Sequence, residues 1–106
     1  MPQDPFIIVE RDEYFFPDKT VLIVEDDPDN AEFLQEVLAD KGLVILHTGF
    51  AKEAVTIALE QNIDMILMDI NLPDIDGYEA TRLIKKQKPN IIIIAQTAYA
   101  AQRNRT

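Results

Sequence analysis

Two short apolar runs of this 106-residue chain end in acid. Val21-Leu-Ile-Val24 leads into Glu25-Asp26-Asp27, and Ile63-Asp-Met-Ile-Leu-Met68 leads into Asp69-Ile-Asn71-Leu-Pro73. Carboxylates gathered at strand ends supply the oxygen ligands that a hard divalent cation takes, and an aspartate among them can accept a phosphoryl group as a nucleophile. In an open α/β sheet the carboxyl ends of the strands are where ligands bind, at the point where strand order reverses. Glu25, Asp26 and Asp69 at neighbouring strand tips would repel one another unless they shared a cation. Mg2+ suits them, because it keeps several waters and needs only a few carboxylates and a carbonyl from the protein.

The elements that must position these acids are legible from periodicity. Lys19 to Glu25 is continuously apolar through its middle rather than alternating, which predicts a strand covered on both faces. Asp27-Pro28 offers an N-cap followed by proline at the first helical position, and Ala31, Leu34, Val37 and Leu38 predict the inward face of a helix over Pro28 to Lys41, before Gly42. A second strand follows at Leu43 to Leu46, then a helix at Ala51 to Glu60 with Ala54, Val55, Ala58 and Leu59 on one side. Ile63 to Met68 is the third strand. Asp76-Gly-Tyr-Glu79 has capping-box spacing and opens a helix to Gln87, with Ala80, Leu83 and Ile84 inward. Ile91 to Thr97 is the fourth strand. Strands alternating with helices of this length make right-handed βαβ units and a parallel sheet.

The bulk numbers bound the rest. The length supports one domain, and 47% apolar with 27% charged residues describes a folded globule rather than a disordered chain. A net charge of -9 argues against nonspecific nucleic-acid binding and against docking on an anionic membrane, and favours divalent cations and basic partners. Without cysteine there is no disulfide or thiolate chemistry. The start lacks a basic region followed by an apolar one, and no stretch approaches membrane-span length, so a cytoplasmic location is expected. His47 reads as a surface or packing residue, Met65 and Met68 as core, and Asp74 and Asp76 as turn and cap residues.

Four segments, each at a strand end or a helix opening, form an ordered set: Leu22-Ile-Val-Glu-Asp-Asp27, Leu67-Met-Asp-Ile-Asn-Leu-Pro73, Asp76-Gly77 and Ala95-Gln-Thr-Ala98. Together they resemble the receiver domain of two-component response regulators, including receivers fused to hybrid sensor kinases, over Lys19 to Tyr99. The resemblance implies a flavodoxin-like α/β fold with strand order 2-1-3-4-5 and a signalling module rather than an enzyme. It implies that Asp69 accepts a phosphoryl group from a histidine kinase or histidine phosphotransfer protein. It implies Mg2+ held by Asp26 directly, by Glu25 through water, by Asp69, and by the main-chain carbonyl of Asn71. Thr97 matches the switch position, where a hydroxyl moves toward the acylphosphate.

The family continues past the switch threonine with a helix, a fifth strand and a last helix, and this sequence stops before them. The expected division is therefore an N-terminal extension over 1–18 and, over 19–106, a receiver domain truncated after the fourth strand. No lysine follows Lys88, where the family places one that pairs with the phosphoryl oxygens. An uncovered fourth strand invites pairing, so we expect either Phe6 to Val9 with Tyr14 to Phe16, or a second copy of the chain, to cover it. The alternative reading is a phosphorylation-incompetent interaction or dimerisation module. The absent lysine favours it, whereas intact Glu25, Asp26, Asp69 and Thr97 favour the phosphoacceptor. An aspartate-nucleophile phosphohydrolase needs a second acid two residues beyond its nucleophile, and Asn71 stands there. A flavin binder of this fold needs a hydroxyl-rich phosphate loop, where Asp26-Asp27-Pro28-Asp29 would repel the phosphate.

Overall fold

The computed structural model describes residues 15–96. Its elements run β1 (Thr20–Val24), α1 (Pro28–Leu38), β2 (Val44–Thr48), α2 (Ala51–Glu60), β3 (Met65–Asp69), α3 (Gly77–Gln87) and β4 (Ile92–Gln96). The strands form one parallel sheet in the order β2-β1-β3-β4. This is the expected flavodoxin-like arrangement over the four strands.

β1 lies between β2 and β3, and Val21, Leu22, Ile23 and Val24 are all at most 1% exposed, as its unbroken apolar run requires. Leu22 and Val24 share a core with Ala51, Ala54 and Ala58 of α2, Ile66 and Met68 of β3, and Ala80 and Ile84 of α3. The alanines recur at helical spacing, so α2 lies close to the sheet on a strip of small side chains. Right-handed crossovers put α1 on the opposite face, where buried Ala31 meets the sheet.

Several expectations need correction. The first helix ends at Leu38 rather than Lys41, because Asp40 takes φ 63° and Gly42 φ 82°, left-handed conformations that a helix cannot contain. Val37 and Leu83 are not inward but 48% and 39% exposed. The aromatic pair Phe15 and Phe16 does not lie on β4. The Phe16 N–H donates to the Lys41 carbonyl at 2.6 Å, and the Phe15 ring lies over Gly42. That loop feeds β2, at the other edge of the sheet from β4, and the short turn into β1 holds the pair there. Phe6 to Val9 and Tyr14 lie outside the described residues.

Candidate functional site

The register pairs Val24 with Met68, so the next residues along these adjacent strands, Glu25 and Asp69, come side by side at the carboxyl end of the sheet. The chain leaves β1 toward β2 and returns to β3, which makes this the point where strand order reverses. Oxygen atoms of Glu25, Asp26 and Asp69 all lie within 4.8 Å of one another. Glu25 is 1% exposed and Asp69 2%, while Asp26 faces solvent.

The buried acids are held by hydrogen bonds. Glu25 Oε1 accepts from Asn30 Nδ2 at 2.6 Å, and Oε2 accepts from the Asp27 N–H at 3.1 Å. Asp27 in turn caps α1, its Oδ1 accepting from the N–H groups of Asp29 and Asn30 at 2.9 and 3.3 Å. Asp69 Oδ1 accepts from the Asn71 N–H at 3.0 Å, which folds the chain back over the strand end. Burial pushes the Glu25 carboxyl above its ordinary value and facing Asp69 pushes the same way, outweighing the Asp27 and Asn30 hydrogen bonds. A cation among the three would reverse that balance, and an all-oxygen donor set fits a hard one.

Two backbone features shape the floor. A Cβ on Gly77 would lie 2.5 Å from the Asp69 carbonyl oxygen and 2.7 Å from the Ile70 Cα, so only glycine lets α3 begin against the end of β3. The Gly77 N–H donates to the Ile70 carbonyl at 3.0 Å. On the other flank, His47 Nε2 donates to the Glu25 carbonyl at 2.9 Å, which gives this exposed histidine a packing role at the end of β2.

Of the residues singled out from the sequence, Glu25, Asp26 and Asp69 converge, with Asn71 two residues past the end of β3. Thr97 lies outside the described residues; it follows Gln96, whose backbone the register pairs with Asp69. Asp76 caps α3 by accepting from the Glu79 N–H at 2.8 Å, as expected. Asn30 was missed, and its only signal was an amide beside Ala31 on the inward face of α1. Asp74, expected as a turn and cap residue, does not act only within its own turn. It reaches to α2, accepting from the Ala51 and Lys52 N–H groups at 2.9 and 2.8 Å. Desolvation raises the Asp74 carboxyl, but the N–H groups of Lys52, Ala51 and Ile75 together outweigh it and hold the group below its ordinary value.

The sequence model of the response regulator receiver domain matches residues 21–106. The chain belongs to that family. The polar-differentiation response regulator DivK of Brucella ovis is 37% identical over 84 residues, covering 77% of this chain and 68% of that protein. Among solved structures, the response regulator TrrA of Thermotoga maritima, in complex with Mg2+–BeF, is 35% identical with a TM-score of 0.73, over 81% of this receiver domain and 75% of TrrA. The receiver domain of the sensor histidine kinase PA1611 from Pseudomonas aeruginosa has a magnesium ion coordinated in its active-site cleft. It is 39% identical with a TM-score of 0.73, over 82% and 73% of the two chains. TrrA has also been seen in complex with the histidine kinase ThkA, with 36% identity and a TM-score of 0.70, over 76% of this chain and 70% of that one. No helix among the described residues of the receiver domain is long and apolar enough to cross a membrane.

Proposed function

We propose that this receiver domain is the phosphoacceptor of a two-component phosphorelay, taking a phosphoryl group from a partner's phosphohistidine onto Asp69. The observation that carries the reading is the convergence of Glu25, Asp26 and Asp69 within 4.8 Å at the switch point of the sheet. Glu25, Asp26, Asp69 and the Asn71 carbonyl would hold Mg2+, which when bound neutralises charge on the transferring group. The magnesium in the PA1611 receiver and the Mg2+–BeF in TrrA support this choice of cation.

Each residue then has a task. A carboxylate oxygen of Asp69 attacks phosphorus and forms the O–P bond as the P–N bond to the imidazole breaks. The electron pair stays on the imidazole nitrogen. The Asn71 N–H, already bonded to Asp69 Oδ1, holds that oxygen in place and leaves the other for attack. Asn30 and the Asp27 N–H fix Glu25 at the metal side of the pocket. Thr97, next after β4, supplies the hydroxyl that moves toward the acylphosphate and so alters the surface. The module is a signalling domain working in the cytoplasm rather than an enzyme. The complex of TrrA with ThkA supports a histidine kinase as partner.

Incubation with acetyl phosphate and Mg2+ followed by intact-mass measurement tests the central step. A gain of one phosphoryl group, lost in Asp69→Asn, is expected. No gain, under conditions that label another receiver domain, would leave the interaction module as the better reading.

A further inference from the structure

We propose that Asp74 is a positioning residue that latches the loop between β3 and α3 to the first turn of α2 and thereby sets the shape of the cation pocket. The proposal rests on the metal reading above. α2 begins without a cap of its own, since its N-cap residue is Phe50, whose side chain makes no hydrogen bond to the helix. A helix start leaves N–H groups needing acceptors. Here both oxygens of one distant carboxylate take them, Oδ1 from Ala51 and Oδ2 from Lys52. Asp74 is exposed, so burial does not dictate this contact.

What the latch holds is the loop that carries Asn71. That loop is tied at its start by the Asn71 N–H to Asp69 and at its end by the Gly77 N–H to Ile70. Between them Leu72 and Ile75 pack on the core, and Asp74 is the polar tie between these two side chains. α2 is itself joined to the other side of the pocket. The Glu25 N–H donates to the Thr48 carbonyl at 3.0 Å, and the Thr48 hydroxyl bonds Glu53 of α2 and accepts from the Phe50 N–H. Hydrogen bonds thus link Glu25 through Thr48 and α2 to Asp74, and the chain itself continues from Asp74 back to Asn71, whose N–H bonds Asp69. Opening this link at Asp74 frees the loop that carries the Asn71 carbonyl.

Three variants separate this from simple helix capping. Asp74→Ala removes both acceptors, and Asp74→Asn keeps one while turning an NH2 against the second N–H. Phe50→Ser combined with Asp74→Ala gives α2 a cap of its own but leaves the loop untied. Calorimetric titration with Mg2+ should show binding weakened about tenfold in Asp74→Ala, with Asp74→Asn between it and the parent. The double variant should recover thermal stability and not Mg2+ affinity. Recovery of both, or unchanged Mg2+ affinity in Asp74→Ala, would overturn the latch. Hydrogen exchange at the Asn71 and Gly77 amides, measured without metal, should be faster in Asp74→Ala and in the double variant, and unchanged exchange would also overturn it. If the parent protein binds no Mg2+, the metal reading fails on its own, and exchange alone decides whether the loop is latched.

Discussion

The two ends of the sheet handle charge in opposite ways. At the carboxyl end, acids of one sign are concentrated: Glu25, Asp26 and Asp69 face one another at the strand tips. At the amino end, charges of both signs are spread out, each on a backbone group that a terminus leaves over. Asp64 accepts from the Thr20 N–H at 2.7 Å, where β1 begins. Lys88 donates to the Ala58 and Gln61 carbonyls at 2.5 and 2.9 Å, where α2 ends, and Lys85 donates to Ile91 O at 2.6 Å. The same fold therefore uses charge to close its amino end and to load its carboxyl end. Clustered like charge is costly to the fold and useful to a site; dispersed, hydrogen-bonded charge is the reverse.

The strongest way to break the comparison is to push α3 off the loaded end. Gly77→Ala brings a methyl group against the Asp69 carbonyl and the Ile70 Cα, and overpacking of this kind costs about 1–3 kcal/mol. Urea denaturation should show that loss, and phosphoryl uptake should fall with it, because the end of β3 must move. A loss within error would mean that α3 starts further from the strand than these contacts require.

Glu25→Gln acts the other way. It removes a charge that burial and Asp69 both oppose, at the loss of the Asp27 N–H bond, while its amide oxygen can still accept from Asn30. Thermal melts without metal should show a gain on the order of 1 kcal/mol, and the stabilisation added by Mg2+ should shrink. The parent protein should show the same effect through pH. Glu25 titrates above its unfolded value, so its contribution to stability is present at low pH and is lost as pH rises through the raised value. The increment in melting temperature on adding Mg2+ should therefore grow as pH rises across that range. Asp74 has the opposite sign: its contribution is present above the ordinary value and is lost as pH falls through the lowered one. A flat Mg2+ increment across pH would mean that the cation does not act on Glu25, directly or through water.

The loaded end was the more legible of the two. Strands that terminate in acid are visible because an apolar run stops at a charge, and the parallel topology brings such stops together whatever the loops do. β1 has an unbroken apolar run and is covered on both faces, but Ile91 to Ile94 is equally apolar and its Ile92 and Ile94 are 56% and 47% exposed, so such a run alone does not place a strand at the centre. Side chains that act across the fold were hidden. Asp74 lies in a Pro-Asp-Ile-Asp-Gly turn that explains an aspartate locally, while its partners stand 23 and 22 residues upstream. Asn30 reads as a solvated polar residue in a first turn until Glu25 is seen opposite it. Phe15 and Phe16 remain 61% and 44% exposed, and composition could not say that the turn into β1 ties them to the Lys41–Gly42 corner.

The smallest expected effect tests whether the two ends are independent. α2 is closed at both ends by residues flanking α3: Asp74 takes N–H groups at its start, and Lys88 gives hydrogen bonds to carbonyls near its end. No basic residue occupies the last turn of α2, so Lys88 also supplies the positive charge that a helix C-terminus favours. Lys88→Met keeps much of the aliphatic stem and removes the donor, at a cost of about 0.5–1.5 kcal/mol in urea denaturation. Mg2+ affinity should not change, because the lost bonds lie at the opposite end of the helix from the loop that holds Asn71. A shift in Mg2+ affinity comparable to that of Asp74→Ala would show that α2 transmits strain along its length, and the two ends would then have to be treated as one coupled unit.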